Sequence, residues 1–213
     1  MKRWFAGLFD ERDAFALRAA RWVVIDCETS GLDPSQDRLL SIGAIAVQAG
    51  RVDLGEAFEV VLQQATASDP SNILVHGIGG EAQRTGRPME QGLRAFSAFL
   101  ASGVPVAFHA PFDAAVLERA HLAHALQPPR RWLDAAQLAN SLYPRSRPAK
   151  LKHGSLDDWL ADFGIASPSR HNALGDAYAT AQLFLVLLAE AERQGVQTVA
   201  DLRRIERSAR WVS

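Results

Sequence analysis

The chain has 213 residues, 48% of them hydrophobic and 22% charged, which is the composition of one folded domain and excludes a disordered tail or a coiled coil. It holds 23 Lys and Arg against 24 Asp and Glu, so bulk charge attracts neither nucleic acid nor a membrane, and any such binding must come from local charge. A single cysteine, Cys27, excludes an intramolecular disulfide and a cysteine-rich zinc site, and fits a reducing compartment.

No run of about 18 consecutive apolar residues occurs, so no transmembrane helix is expected. The apolar run that follows Lys2-Arg3 is cut off by Asp10-Glu11-Arg12-Asp13, too soon for a signal peptide, and the default reading is a cytoplasmic protein. The first 20 residues read as an amphipathic helical lead-in, with Trp4, Phe5, Leu8 and Phe9 covering part of the core. Trp22 to Ile25 is a short apolar run of strand length. Leu39–Val47 and Arg51–Leu62 follow as two strands joined at the turn Ala49-Gly50, which predicts a hairpin. Met89–Ala101 places Leu93, Phe96 and Leu100 on one helical face, with Gly103 just beyond.

Val104–Phe108 is a fourth strand, and Pro111 then opens a helix, where its missing N–H costs nothing. A short fifth strand, Arg131–Leu133, precedes a helix over Asp134–Leu142. Ser155-Leu156-Asp157-Asp158 is a capping-box signature opening a further helix. A long helix over Ala173–Gln194 ends at Gly195, and a last polar helix spans Thr198–Arg210. Strands first and then alternating helix and strand predict an α/β fold, a mixed sheet flanked by helices.

The chemistry-bearing residues fall at element ends. Asp26 and Glu28 follow the first strand directly. Side chains alternate faces along a strand, so these two carboxylates point the same way and Cys27 points the other. Two adjacent carboxylates repel, and a divalent cation bound by oxygen ligands, Mg²⁺ or Mn²⁺ rather than zinc, relieves them; a solvated strand end is the alternative. Gly31 permits a tight turn after the pair. Asp113 lies in the first turn after Pro111, favoured there by the helix dipole and at the same sheet edge as the first pair. His171 and Asp176 are five apart. On one helix they would diverge by about 140°, so His171 belongs on the loop, with Asn172 near the cap and Asp176 one turn inside. A loop histidine titrating near neutrality suits a general base.

In this order the segments resemble a known family. Val24-Ile25-Asp26-Cys27-Glu28-Thr29-Ser30-Gly31-Leu32, Val106 to Asp113 (Val-Ala-Phe-His-Ala-Pro-Phe-Asp) and His171-Asn172-Ala173-Leu174-Gly175-Asp176-Ala177 are similar to the three motifs of the DEDD 3′→5′ exonucleases, in their histidine subgroup. That group includes the proofreading subunit of bacterial replicative DNA polymerase, ribonuclease T and oligoribonuclease. Val75-His76-Gly77-Ile78 resembles a further signature, in the loop facing the terminal nucleotide, and Asp134 before a helix fits the same pattern.

The resemblance implies a ribonuclease H-like fold with a five-stranded mixed sheet. The resemblance runs from about Trp22 to Glu190, and the chain is expected to divide into an N-terminal helical extension over residues 1–20, an exonuclease domain over 21–195 and a C-terminal helical extension over 196–213. The resemblance implies Asp26, Glu28, Asp113 and Asp176 as ligands of two Mg²⁺ or Mn²⁺ ions, roughly 3.5–4 Å apart, and His171 as the base that takes a proton from the attacking water. Thr29, Gly31, Leu32, His76, Ile78 and Phe112 are then substrate contacts.

Two departures stand out. Phe108-His109 replaces the common His-Asn, and Gly79-Gly80 replaces the Thr that often follows His-Gly-Ile. From Arg130 to Lys152 six Lys and Arg face one acid, a local excess of +5. Arg145, Arg147, Lys150 and Lys152 are therefore expected to contact the backbone of a single strand.

The expected activity is removal of nucleoside 5′-monophosphates from single-stranded or frayed DNA 3′ ends. Short RNA is the rival substrate, a non-catalytic binding module is a weaker alternative, and a polymerase or replication protein is the expected partner. Three signals are discounted. His121 and His124 lack further zinc ligands, Cys27 reads as a small buried hydrophobe, and Gln197–Leu202 fits a sliding-clamp peptide poorly.

Overall fold

A computed structural model describes residues 10–143, 154–167 and 170–208. Five strands, β1 (Trp22–Thr29), β2 (Leu39–Gln48), β3 (Arg51–Val61), β4 (Val104–Ala107) and β5 (Leu133–Asp134), form one sheet in the order β3-β2-β1-β4-β5. β1, β2 and β3 pair antiparallel, whereas β4 and β5 run parallel to β1. This is the expected mixed five-stranded sheet, and the fold is ribonuclease H-like.

The eight helices among the described residues are α1 (Pro70–His76), α2 (Gly80–Thr85), α3 (Met89–Leu100), α4 (Ala110–Ala123), α5 (Ala135–Leu142), α6 (Leu156–Asp162), α7 (Ala173–Arg193) and α8 (Val199–Ser208). Alternation along β1 divides the core in two. Trp22 and Val24 face one cluster, built with Leu138, Trp159, Phe184 and Leu202 of α5 to α8. Val23, Ile25 and Cys27 face the other, built with Phe96 of α3 and Val116 and Leu117 of α4. Trp22 anchors the first layer. Its ring meets Phe184 edge-on at 5.2 Å and its Nε1–H donates to the Leu17 carbonyl at 3.0 Å, so the indole is buried with its polar atom satisfied. α7 is long and apolar enough by length and composition to cross a membrane, and here it is the central helix packed on the sheet.

Several expectations are corrected. Over residues 10–20 the helical lead-in is a single 3-10 turn, Glu11–Ala14, followed by an isolated bridge between Ala16 and Thr198 that draws the chain into extended pairing. Trp4, Phe5, Leu8 and Phe9 lie outside the described residues. β1 runs through Asp26 and Glu28 rather than stopping before them, because β2 continues to pair with it as far as Leu39. β3 ends at Val61, and the fifth strand is Leu133–Asp134. The Val75–Ile78 signature, expected in a loop, begins inside α1, and neither α1 nor α2 is among the expected helices. They have seven and six residues and are bounded by Pro70 and by Gly77 to Gly80, which hides any periodicity.

Candidate active site

β1 and β4 run parallel, so the carboxyl end of β1 and the start of α4, just past β4, share one edge of the sheet. Asp26 and Glu28 project from β1 on the face that α7 covers. Asn172 caps α7, accepting the Gly175 N–H at 2.9 Å, which sets Asp176 in the first turn. Asp26, Glu28 and Asp176 each offer a carboxylate oxygen lying within 4.8 Å of the other two. Burial lifts the Asp26 carboxyl well above its ordinary range, and the charges of Asp113, Glu28 and Asp176 lift it further. Glu28 is pushed up to about 7, first by burial and then by Asp176. The donors are all oxygen, close together and mutually repelling, so they fit a hard divalent cation.

Asp113 arrives from the opposite face of the sheet. It is buried in the first turn of α4, and burial pushes its carboxyl up to about 7 against hydrogen bonds from the Cys27 thiol and backbone. Its charge acts on Asp26, which places it beside the triad, although the close three-carboxylate cluster is Asp26, Glu28 and Asp176. The expectation for Cys27 is thereby refined. It is buried and faces away from Asp26 and Glu28, but its thiol meets Asp113, and burial together with that carboxylate raises it well above the usual thiol range.

His171 is exposed on the loop before α7, in the left-handed region (φ 59°), and its N–H donates to Asp176 Oδ2 at 3.2 Å.

The remaining expected contacts divide. Leu32 is 91% exposed on the loop that leaves β1, and Phe112 is half-buried on α4. Thr29 turns its hydroxyl inward to the Gly31 carbonyl at 2.6 Å. Gly31 packs against Asp37, where a Cβ would lie 2.5 Å from the carboxylate. Ile78 and His76 are buried. His76 Nδ1 accepts the Ile78 N–H at 2.9 Å, so its proton sits on Nε2 and is donated to Asn72 Oδ1 at 2.8 Å. Asn72 Nδ2 in turn donates to the Thr29 carbonyl at 3.1 Å. His76 therefore fastens the α1–α2 connection to the end of β1 instead of opening toward a ligand. Arg145, Arg147, Lys150 and Lys152 lie outside the described residues.

At the two departures, His109 takes a left-handed backbone (φ 61°) as the N-cap of α4, and Gly79 caps α2. One residue at the site had no place in the motif reading. Arg170 pairs with Asp176 through Nη1 and with Asp157 through Nε at 2.6 Å. A cation directly before His171 was the only signal in the sequence.

A family model described as exonuclease matches residues 23–184. The chain is 29% identical over 188 residues to a DNA polymerase III PolC-type protein of Thermotoga maritima, an alignment that covers 88% of this chain and 13% of that protein. It is 32% identical over 180 residues to a DNA polymerase III subunit epsilon-like protein of Rhodobacter capsulatus, covering 83% of this chain and 25% of that one. The chain thus spans a quarter or less of the length of these curated relatives. Among solved structures, its fold is similar to an Escherichia coli exonuclease I–single-stranded DNA complex, with TM-score 0.69, 20% identity and coverage of 83% and 41% of the two chains. It is also similar to exonuclease X in complex with 5′-overhanging duplex DNA, with TM-score 0.66, 20% identity and coverage of 87% and 99%.

Proposed function

We propose that this chain, which belongs to the exonuclease family, is a metal-dependent 3′→5′ exonuclease that removes nucleoside 5′-monophosphates from single-stranded or frayed DNA 3′ ends. The observation that carries this reading is the convergence of Asp26, Glu28 and Asp176 within 4.8 Å, with Asp113 acting on the same point and His171 open on the loop beside it.

Asp26, Glu28, Asp113 and Asp176 would hold two divalent ions, Mg²⁺ or Mn²⁺. When bound, these supply charge neutralisation for the phosphate and lower the pKa of a bound water. His171 takes the proton from the water whose oxygen attacks the terminal phosphorus. The phosphorus–3′-oxygen bond breaks, the 3′-oxygen leaves with the shortened strand and is protonated from solvent, and the released nucleotide keeps its 5′-phosphate. Leu32 and Phe112 offer apolar surface against which the terminal base stacks.

The DNA-bound neighbours and the polymerase relatives favour DNA as the substrate and a bacterial replication polymerase as the partner, acting in the cytoplasm. We assign the hydrolysis to residues 21–195, leaving the two terminal extensions as surfaces for that partner.

The test is a gel time course on 5′-labelled single-stranded DNA and RNA of one sequence, in Mg²⁺ and in Mn²⁺, beside Asp26→Ala. The expected result is a ladder shortening from the 3′ end, faster for DNA and absent in the variant. A faster RNA ladder would reassign the substrate, and no shortening in either metal would overturn the reading.

A further inference from the structure

Arg170 takes no part in the hydrolysis set out above, yet it is tied to one of the acids that reaction depends on. Nη1 holds Asp176 Oδ1, and Nε holds Asp157 Oδ1 at 2.6 Å. The other Asp176 oxygen accepts the His171 N–H at 3.2 Å, so both oxygens of this carboxylate are engaged by the protein. We propose that Arg170 is a positioning residue, an internal counter-cation that hands Asp176 over to an arriving divalent ion and stays anchored on Asp157. The proposal rests on the metal-dependent reading above.

Three observations carry it. Arg170 draws on one Asp176 oxygen and the His171 N–H on the other, so an ion that uses Asp176 competes with the guanidinium for the charge of one carboxylate. Asp157 lies on α6, outside the cluster, and its side chain is 62% exposed. It remains a partner when Asp176 is taken, so releasing the guanidinium does not strand a charge in a partly buried place. The charge of Arg170 also opposes the repulsion felt by Asp26, Glu28 and Asp176 alike, which is the work a metal does when bound. Arginine suits the task. Its guanidinium is permanently charged and its rigid fork can bridge two carboxylates, which a lysine ammonium does less well.

The handover makes two neighbouring substitutions act in opposite directions on metal affinity, which a merely structural ion pair does not. Mn²⁺ binding to the full chain is measured by titration calorimetry, without substrate, for the wild type, Arg170→Gln, Asp157→Asn and the double variant. Arg170→Gln is expected to tighten Mn²⁺ by about five- to tenfold, since the competitor is gone. Asp157→Asn is expected to weaken Mn²⁺ several-fold, because Arg170 then has only Asp176 to hold. The double variant should follow Arg170→Gln. In chelator, Arg170→Gln should melt below the wild type, with Mn²⁺ closing the gap. Equal affinities across the set, or weakening in both single variants, would overturn the handover while leaving the exonuclease reading intact. No Mn²⁺ binding by any variant, wild type included, would overturn the metal-dependent reading and this proposal with it.

Discussion

Gly43 lies directly beneath Ala173: a Cβ placed on the glycine would stand 2.2 Å from the Ala173 carbonyl carbon. Gly43 is the cross-strand partner of Asp26 in the β1–β2 ladder, so its missing side chain lets the first turn of α7 settle against the sheet beside that acid. The approach brings Asp176 within reach of Asp26 and Glu28. Gly43→Ala is therefore expected to push the α7 terminus outward. Overpacking of this kind costs about 1–3 kcal/mol. Urea melts should show that loss, and Mn²⁺ affinity should fall with it. An alanine variant that keeps wild-type metal affinity would show that α7 is held at this edge by something other than the close approach.

The carboxyl groups make stability depend on pH in an unusual direction. Glu28 and Asp113 both rise to about 7 in the fold, with burial the largest cause in each, from ordinary values near 4. The folded state therefore holds these protons more tightly than the unfolded chain does. Their contribution is fully present below the unfolded pKa and is lost as pH rises through about 7. In chelator, the melting temperature is expected to fall by several degrees between about pH 5 and about pH 8. Mg²⁺ or Mn²⁺ should flatten the profile by stabilising the ionised forms. A metal-free melting temperature that stays level or climbs over that range would contradict this account of the cluster.

Much of this site is written in local periodicity. Strand alternation is enough to put Asp26 and Glu28 on one face, and helical rotation is enough to separate His171 from Asp176 and leave the histidine on the loop. The contact between Asp113 and Cys27 was not legible, because it joins the far face of β1 to a helix more than eighty residues on. Nor was the burial of His76. Its motif position suggests an open loop, but α1 and α2 close around it, and Gln83 of α2 completes the enclosure by donating to the Ile78 carbonyl at 2.9 Å. Arg170 was missed because neither periodicity nor motif spacing marks a residue whose two partners come from different helices.

His76 links the α1–α2 connection to β1 through Asn72 and the Thr29 carbonyl. His76→Ala would leave the buried Ile78 N–H and Asn72 Oδ1 without their His76 partner. Each unmet group costs about 1–3 kcal/mol. The expected outcome is a clear loss of stability and a raised KM for a single-stranded substrate, with kcat changed less, since the carboxylates stay in place. Steady-state kinetics beside a thermal melt separates these effects. A fall in kcat alone, with stability intact, would instead mark His76 as a participant in the chemistry.

Local charge gives the last expectation. Arg145, Arg147, Lys150 and Lys152 stand in a chain whose net charge is −1, so their attraction for a phosphate backbone is not part of a general field. Each cation that meets a phosphate of a single strand releases a condensed counterion, and log K then falls with log salt by about 0.7 per contact. Replacing all four by Gln should weaken single-stranded DNA binding at low salt and lower the salt slope by up to about 3. The fold should be unaffected, because lysine and arginine side chains are almost never fully buried unless paired. Binding is best measured by fluorescence anisotropy over a salt series in Ca²⁺, to avoid hydrolysis. A slope that stays unchanged would take these four residues out of the interface and leave substrate capture to the apolar surface at Leu32 and Phe112.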